Sequence, residues 1–155
     1  MSLDGEYEPS TAQWVRDQVA EYESSGGQRA NTLRDTGLPV IIVTSRGNKS
    51  GKIRKTPLMR VEHDGQYLLV ASQGGAPTNP VWYYNLTADP QAVLIQDGPE
   101  PFDVTVRELP EGEERAQWWA RAVAAYPPYA EYQDRTERRI PVLLATRRAG
   151  ESGPA

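Results

Sequence analysis

The sequence predicts a mainly β domain with an N-terminal helix and two further helices. Two observations favour a barrel: six short runs of strand character follow one another closely, and turn residues separate them. The predicted strands are residues 38–44, 56–62, 66–71, 91–96, 102–108 and 140–146. In the fifth strand, Phe102, Val104 and Val106 alternate with polar residues, which is typical of a strand with one solvated face.

The predicted helices begin and end at recognisable signals. A capping-box pattern at residues 10–13 opens the first helix, and residues 24–27 end it. The apolar face of this helix comprises Val15, Val19 and Tyr22. Asn79 is the predicted N-cap of the second helix, which continues to Leu86. The third helix covers residues 111–126, and its predicted buried face comprises Trp119, Ala122, Val123 and Tyr126.

The 155-residue chain is predicted to be one domain over residues 1–150, followed by a loose tail at residues 151–155. Its longest apolar run, residues 40–43, is too short to cross a bilayer, and the acidic N-terminus is unlike a secretion signal. The absence of cysteine fits a reducing compartment. We therefore expect a cytoplasmic protein, with peripheral contact at the inner membrane face left open and the oligomeric state undetermined.

The residue types exclude most catalytic centres built from side chains. The chain has no cysteine and one histidine, His63, which precedes an Asp64-Gly65 pair typical of a tight hairpin turn. No grouping of histidine and carboxylate residues predicts a metal site. An enzyme of this composition therefore needs a cofactor to carry the reaction.

All three lysines of the chain lie within residues 46–55, here called the basic segment. The segment carries five positive charges, so the net charge of −4 leaves −9 on the remaining chain and disfavours general binding to nucleic acid. Gly47 and Gly51 allow backbone amides to turn inward and bind an anion together with the side chains. Their spacing, and Ile53 in place of a serine or threonine, exclude a Walker loop. We predict an anion-binding loop; a solvated basic hairpin is the alternative.

A second candidate anion site follows the third predicted strand. Residues 72–75, here called the glycine turn, have the sequence Ser-Gln-Gly-Gly, and the helix that begins near Asn79 comes shortly after. Glycines let the backbone approach a ligand, and a helix N-terminus presents free amides with a partial positive charge. An ordinary turn is the alternative.

Tyr126, Tyr129 and Tyr132, here called the tyrosine cluster, recur every third residue around Pro127 and Pro128. Their rings can form flat apolar walls with hydroxyl tips, which suits a planar ligand. The alternative is that Tyr126 completes the buried face of the third helix while the other two tyrosines lie at the surface.

Taken together, these motifs resemble the deazaflavin-dependent nitroreductases of actinobacteria, also described as quinone reductases, which use coenzyme F420, an 8-hydroxy-5-deazaflavin. The resemblance covers residues 33–146 and depends on residues 46–54, on residues 72–75 with 79–83, and on residues 126–132. It implies a split β-barrel of the flavin-reductase and PNP-oxidase-like kind. It also implies hydride transfer from reduced F420 to a planar acceptor such as a quinone, an enone or a nitroaromatic compound.

The resemblance further implies roles for individual residues. Lys49, Ser50 and Arg54 would meet the phosphate and glutamyl tail of the cofactor. The residues implied to face the acceptor are Ser72, Tyr126, Tyr129 and Tyr132. The residues implied to bind the cofactor are Asn48, Lys49, Ser50, Arg54, Lys55, Thr56, Pro57, Leu58, Met59, Val70, Ala71, Ser72, Gln73, Asn79, Val81, Trp82, Tyr83, Asn85 and Tyr129. Gln73 stands where relatives often have lysine, and Met59 where some have an aromatic residue.

Three other interpretations stay open at this point. The chain is alternatively a non-catalytic split-barrel protein that carries a flavin or deazaflavin, an FMN-dependent reductase, or a structural protein with a solvated basic loop. FMN has a single phosphate, so five positive charges exceed what it requires.

Overall fold

A computed structural model describes residues 5–33 and 36–148; the predicted tail lies outside the described residues. The helices are α1 (Gln13–Ser24), α2 (Val81–Ala88), α3 (Glu113–Ala125) and α4 (Pro128–Arg135). The strands are β1 (Thr32–Leu33), β2 (Leu38–Arg46), β3 (Ile53–Met59), β4 (Glu62–His63), β5 (Gln66–Val70), β6 (Val93–Gln96), β7 (Pro101–Glu108) and β8 (Val142–Arg147). The prediction of a mainly β fold is confirmed.

The strands form one antiparallel sheet in the order β1-β2-β6-β7-β8-β5-β4, and β3 pairs with the free side of β2. Strands β3 and β5 contact each other, and the amide of Leu68 donates a hydrogen bond to the carbonyl of Val61 at 2.9 Å. The sheet therefore curls on itself into a partly closed barrel, as strand twist favours. The connection between β3 and β5 crosses the gap between the two ends of the sheet.

Two apolar cores lie on the two faces of this sheet. Successive residues of β2 alternate between them: Val40 and Ile42 pack with α1, α3 and α4, whereas Ile41 and Val43 pack inside the barrel with Leu86 of α2. Because both faces of β2 are covered, its sequence is a continuous apolar run instead of an alternating one.

The structure contains the six longer strands that were expected, but several of them begin or end at other residues than predicted. The predicted strand 56–62 is in fact β3, which begins at Ile53, followed by the short β4. The last three residues of the basic segment, 53–55, therefore belong to a strand and not to a loop. The hairpin turn after His63 is confirmed, because Asp64 and Gly65 adopt the left-handed φ values of 53° and 81° that such a turn requires.

Three helix predictions need correction. The capping box at residues 10–13 is wrong: α1 begins at Gln13, and within the described residues the Ser10 hydroxyl accepts a hydrogen bond only from the amide of Ala12. Asn79 does not cap α2, whose N-cap position is occupied by Pro80. In α3 the buried face is Trp118 with Ala122, while the predicted Trp119, Val123 and Tyr126 are half-buried against the same core. Helix α4 was not predicted, because Pro127 and Pro128 indicated a helix end.

Candidate active site

Two neighbouring cavities share β3 and α2 as walls. The tyrosine cavity, of about 500 Å³, is lined by Thr56–Met59 of β3, the glycine turn, Trp82 of α2 and the tyrosine cluster. The basic cavity, of about 680 Å³, is lined by the basic segment and by Val81, Tyr84 and Asn85 of α2. Thr56 lies two strand residues, roughly 7 Å, beyond Arg54 of the basic cavity. The basic segment and the glycine turn therefore lie along one continuous surface.

The basic cavity is rich in hydrogen-bond donors and positive charge. Lys49, Ser50 and Arg54 line it together with Asn85 of α2. The carbonyl oxygen of the Asn85 side chain accepts a hydrogen bond from the amide of Asn48 at 2.8 Å, which fixes the tip of the basic segment against α2. Within the described residues the Lys49 ammonium has no ion-pair partner. This arrangement suits a ligand that carries several negative charges.

An N-terminal arm, residues 5–10, lies along the outer edge of β3. The amide of Ile53 donates to the carbonyl of Glu6, and the amide of Glu8 donates to the carbonyl of Ile53, both at 2.8 Å. Glu8 also lines the basic cavity, and its carboxylate lies 3.7 Å from the Arg54 guanidinium. The arm covers an edge strand that would otherwise present unpaired backbone groups.

The glycine turn brings α4 close to the end of β5. Gln73, Gly74 and Gly75 have φ values of 47°, 65° and 82°, a left-handed run that glycine tolerates far better than other residues. A Cβ atom on Gly75 would lie 2.8 Å from the carbonyl oxygen of Tyr132. Glycine at this position therefore permits the close approach that places the tyrosine cluster opposite the turn.

Arg138 holds the backbone around the glycine turn. Its guanidinium donates to the carbonyls of Ser72 and Ala76 at 2.8 and 2.9 Å and to that of Ala71 at 3.2 Å. It also donates to the side-chain oxygen of Asn79 at 2.8 Å. One side chain thus ties the end of β5 to the start of α2, so that the turn and the helix are positioned relative to each other.

The tyrosine cluster forms one wall of its cavity. The ring centroids of Tyr126 and Tyr129 are 4.9 Å apart at an interplanar angle of 73°, and the hydroxyl oxygens of Tyr126 and Tyr132 are 3.1 Å apart. That hydrogen bond, followed by burial, raises the pKa of Tyr126 to about 12. Burial raises the pKa of Tyr129, which is 5% exposed. The hydroxyls of Tyr126 and Tyr129 are therefore protonated at neutral pH, so that they can donate hydrogen bonds but cannot act as bases.

Two residues that line the tyrosine cavity, Ser72 and Tyr129, carry hydroxyl groups that can donate a hydrogen bond to a ligand. In residues 5–33 and 36–148, neither the Ser72 hydroxyl nor the Tyr129 hydroxyl has a hydrogen-bond partner, although both residues are buried. Neither oxygen is fully enclosed by protein, since Gln18 alone has such an orphaned side-chain atom among those residues. Since both residues line the tyrosine cavity, we infer that their hydroxyls are accessible from it, where a ligand oxygen can accept from them.

Most of the predicted site residues lie in one of the two cavities. Those in the tyrosine cavity are Thr56, Pro57, Leu58, Met59, Val70, Ser72, Gln73, Trp82, Tyr126, Tyr129 and Tyr132. Those in the basic cavity are Asn48, Lys49, Ser50, Arg54, Val81 and Asn85. The interpretation that Tyr129 and Tyr132 lie at the surface is wrong, since Tyr129 is buried and Tyr132 packs partly buried against the core.

Four predicted residues do not line either cavity. Lys55 points to the opposite face of β3, where its ammonium pairs with Glu23 of α1 at 2.6 Å, because strand residues alternate. The side chain of Ala71 is wholly buried, and that of Asn79 is bound to Arg138. The Tyr83 hydroxyl donates to Glu108 at 2.5 Å; burial, followed by this hydrogen bond, raises the pKa of Tyr83 to about 12.

Several lining residues were not predicted. In the tyrosine cavity they are Trp14, Val15, Leu33 and Val40, and in the basic cavity they are Glu8 and Tyr84. Gly47, Gly74 and Pro80, which belong to the predicted motifs, also line the two cavities. Val15 belongs to the predicted apolar face of α1 and Trp14 adjoins that face in the sequence, which predicted packing on the core but not a place in the cavity. Glu8 and Arg138 reach the site from distant parts of the chain, and no local pattern marks either of them.

The curled sheet defines a split-barrel protein, in which a cavity rich in positive charge lies beside a cavity with an aromatic wall. The sequence matches the family model of the F420H(2)-dependent quinone reductases over residues 14–147. The chain therefore belongs to that family. Membership confirms the resemblance drawn from the motifs, and with it the predictions of an oxidoreductase and of coenzyme F420 as its cofactor.

Individual relatives agree with this assignment. An F420H(2)-dependent quinone reductase of Mycobacterium tuberculosis strain H37Rv is 38% identical over 112 residues, which cover 71% of this chain and 74% of the relative. The solved F420-H2 dependent reductase FDR-A is 56% identical, with a TM-score of 0.64, and the match covers 69% of this chain and 93% of FDR-A.

Two further solved structures are similar in fold. A domain-swapped dimer is 49% identical with a TM-score of 0.66, covering 88% of this chain and 99% of its own. The heme storage protein HutZ of Vibrio cholerae, 13% identical with a TM-score of 0.51, shares the fold alone; the match covers 88% of this chain and 92% of HutZ. In the described part of the chain, no helix has both the length and the apolar character needed to cross a bilayer.

Proposed function

We propose that this protein transfers a hydride from reduced coenzyme F420 to a quinone-type acceptor, with the cofactor tail in the basic cavity and the acceptor in the tyrosine cavity. One observation carries the proposal: the two cavities adjoin along β3 and α2. A ligand with an anionic tail and a flat head can therefore occupy both at once.

The residues of the two cavities fit the chemistry of this cofactor. Lys49, Arg54 and Ser50 supply charge and hydrogen bonds for a multiply charged tail. Pro57, Leu58 and Met59 supply an apolar wall on which a planar ring system can lie. Binding the tail in one cavity and the ring system in the other requires no catalytic metal and no nucleophilic side chain.

The bound reduced cofactor would supply the hydride, which is two electrons and one proton. Reduction of a quinone carbonyl then leaves negative charge on the acceptor oxygen, which needs a hydrogen-bond donor and finally a proton. Ser72 and Tyr129 are the candidate donors, because their hydroxyls face the cavity without a protein partner. The tyrosine wall and Trp82 would exclude water and hold the acceptor flat.

The shape of the tyrosine cavity supports flat acceptors in general. Its walls are mainly aromatic and aliphatic, and only a few polar groups point into it. Enones and nitroaromatic compounds share the flatness and the electron-poor character of quinones, so we include them as further acceptors. Peripheral contact with a membrane and a cytoplasmic location stay predictions.

Three alternatives are separable by experiment. A carrier protein would bind F420 without acceptor-dependent turnover, and an FMN reductase would prefer FMN. The basic cavity favours F420, since one phosphate would leave much of its volume and charge unused. A structural protein would bind neither cofactor.

The test is to titrate the purified protein with F420 and with FMN, each monitored by fluorescence, and then to follow the absorbance of reduced F420 after a quinone is added. We expect tighter binding of F420 and oxidation that needs both protein and quinone. Binding without oxidation would identify a carrier, and preference for FMN would reject the proposed cofactor.

A further inference from the structure

The N-terminal arm places a carboxylate inside the cavity that is proposed to bind an anionic tail. Two backbone hydrogen bonds to Ile53, each of 2.8 Å, attach the arm to β3. The Lys55 ammonium lies 5.1 Å from the centre of the Tyr7 ring on the far side of the strand, which adds a cation–π contact to this attachment. Since alternate residues of the arm face opposite sides, Glu8 is directed into the basic cavity.

Glu8 contacts two residues of the proposed tail site. Its carboxylate lies 3.7 Å from the Arg54 guanidinium and accepts a weak hydrogen bond from the Ser50 hydroxyl at 3.4 Å. The Glu8 side chain is 43% exposed and that of Arg54 is 33% exposed, so water screens the pair. Such a contact is easily exchanged for another anion. Glu8 therefore acts as an internal counter-ion of Arg54.

Glu6, two residues earlier in the same arm, provides the contrast. Its carboxylate lies 3.9 Å from the Lys52 ammonium and is 75% exposed. Neither Glu6 nor Lys52 lines the basic cavity. The arm thus offers two carboxylates of equal charge, of which one occupies the cavity and the other does not.

We propose that Glu8 is an affinity-determining residue that competes with the cofactor tail for Arg54 and Ser50. This inference rests on the proposed function, because it needs the tail to bind in the basic cavity. In the free protein Arg54 already has a counter-ion, so tail binding replaces a protein carboxylate and not a salt anion. The competition weakens binding, lessens its dependence on salt, and favours release of the tail, because Glu8 recaptures Arg54 when the tail detaches.

The experiment compares the affinity for coenzyme F420 of the intact protein, Glu8→Gln and Glu6→Gln by fluorescence titration at low and high salt. Glutamine keeps the size and polarity of glutamate and removes one charge in each variant. We expect Glu8→Gln to bind roughly three- to tenfold more tightly at low salt, the size of effect expected for one like charge about 6 Å away in a partly solvated cleft. The gain should vanish near 1 M salt, where charges this far apart are screened.

Two further readouts separate competition from a general effect of charge. Stopped-flow dissociation of F420 should be slower for Glu8→Gln than for the intact protein, and Glu6→Gln should differ from the intact protein by less than about twofold in both measurements. Equal gains in the two variants, or no gain in Glu8→Gln, would overturn the inference while the proposed function stands. If the intact protein itself does not bind F420, the proposed function and this inference fall together.

Discussion

The role of Tyr129 is open to a sharp test, because its hydroxyl has no protein partner among the described residues although the residue is buried. In Tyr129→Phe no hydrogen bond of the folded protein is lost, so the free energy of unfolding should change by less than about 0.5 kcal/mol. Tyr126→Phe is the matched variant, because it removes the 3.1 Å hydrogen bond to Tyr132. That loss should lower the free energy of unfolding by about 0.5–1.5 kcal/mol.

The two variants should rank in the opposite order in turnover, because Tyr129→Phe should lower kcat more than Tyr126→Phe does. If the Tyr129 hydroxyl donates to the acceptor oxygen as charge develops there, its removal costs transition-state stabilisation. Loss of one such donor lowers kcat by roughly 100-fold or more in well-studied cases. For the single neutral hydroxyl of Tyr129 we expect kcat to fall about 10- to 100-fold, which corresponds to a rise of about 1.4–2.7 kcal/mol in the activation free energy. Binding of F420 should not change, because the basic cavity is untouched.

The assay is steady-state oxidation of reduced F420 by a quinone, with urea unfolding measured on the same preparations. The reasoning predicts a large fall in kcat for Tyr129→Phe, and a loss of stability that is larger in Tyr126→Phe. Unchanged kcat in Tyr129→Phe together with a large fall in Ser72→Ala would refute it and identify the Ser72 hydroxyl as the donor.

Three further predictions follow from the same geometry. Gly75→Ala should lower the free energy of unfolding by about 2–4 kcal/mol, because the added Cβ would lie 2.8 Å from a backbone oxygen of α4 and the residue has a φ of 82°. The control is Gly74→Ala, which has open space around the added Cβ and should lower the free energy of unfolding by only about 1 kcal/mol; urea unfolding measures both. Arg138→Met should lower the free energy of unfolding by about 2–4 kcal/mol and should also lower kcat, because it removes four hydrogen bonds around the glycine turn. Arg138→Lys should retain only part of the stability and of the kcat, because lysine cannot reproduce the planar set of donors of arginine. The free energy of unfolding should fall as the pH rises from 10 to 12. The pKa values of Tyr83 and Tyr126 are about 12 in the folded protein and near 10 in the unfolded chain, so the unfolded chain loses these protons first. Urea unfolding at a series of fixed pH values would measure this fall.

The strands were the most predictable part of the fold. The alternation in β7 and the Asp64-Gly65 turn are local signals, and each of them specifies its structure with few competing possibilities. Helix α4 was missed for a local reason as well: a proline pair ends one helix, but Pro128 also suits the first turn of the next, where its missing amide costs nothing. Pattern alone does not distinguish the two roles.

The site was predictable in its motifs and less so in its side chains. The basic segment, the glycine turn and the tyrosine cluster were each found from residue type and spacing, and the structure brings all three to one surface. The resemblance implies a cofactor contact for Lys55 together with its neighbours in the sequence, whereas the alternation of β3 directs this side chain to the opposite face of the strand. Glu8 and Arg138 depend on contacts across 46 and 66 residues of chain, which no local pattern encodes.

The central claim is that the cations of the basic cavity hold the cofactor tail, and a fluorescence titration of F420 against Lys49→Ala/Arg54→Ala tests it most directly. The control is Arg29→Ala/Lys52→Ala, which removes the same charge outside the cavity, where both side chains pair with exposed glutamates. We predict roughly 30-fold weaker binding for the first variant at low salt, from about 1 kcal/mol for each partly screened contact, and a much smaller loss for the control. Equal losses in the two variants, or no loss in either, would contradict the claim.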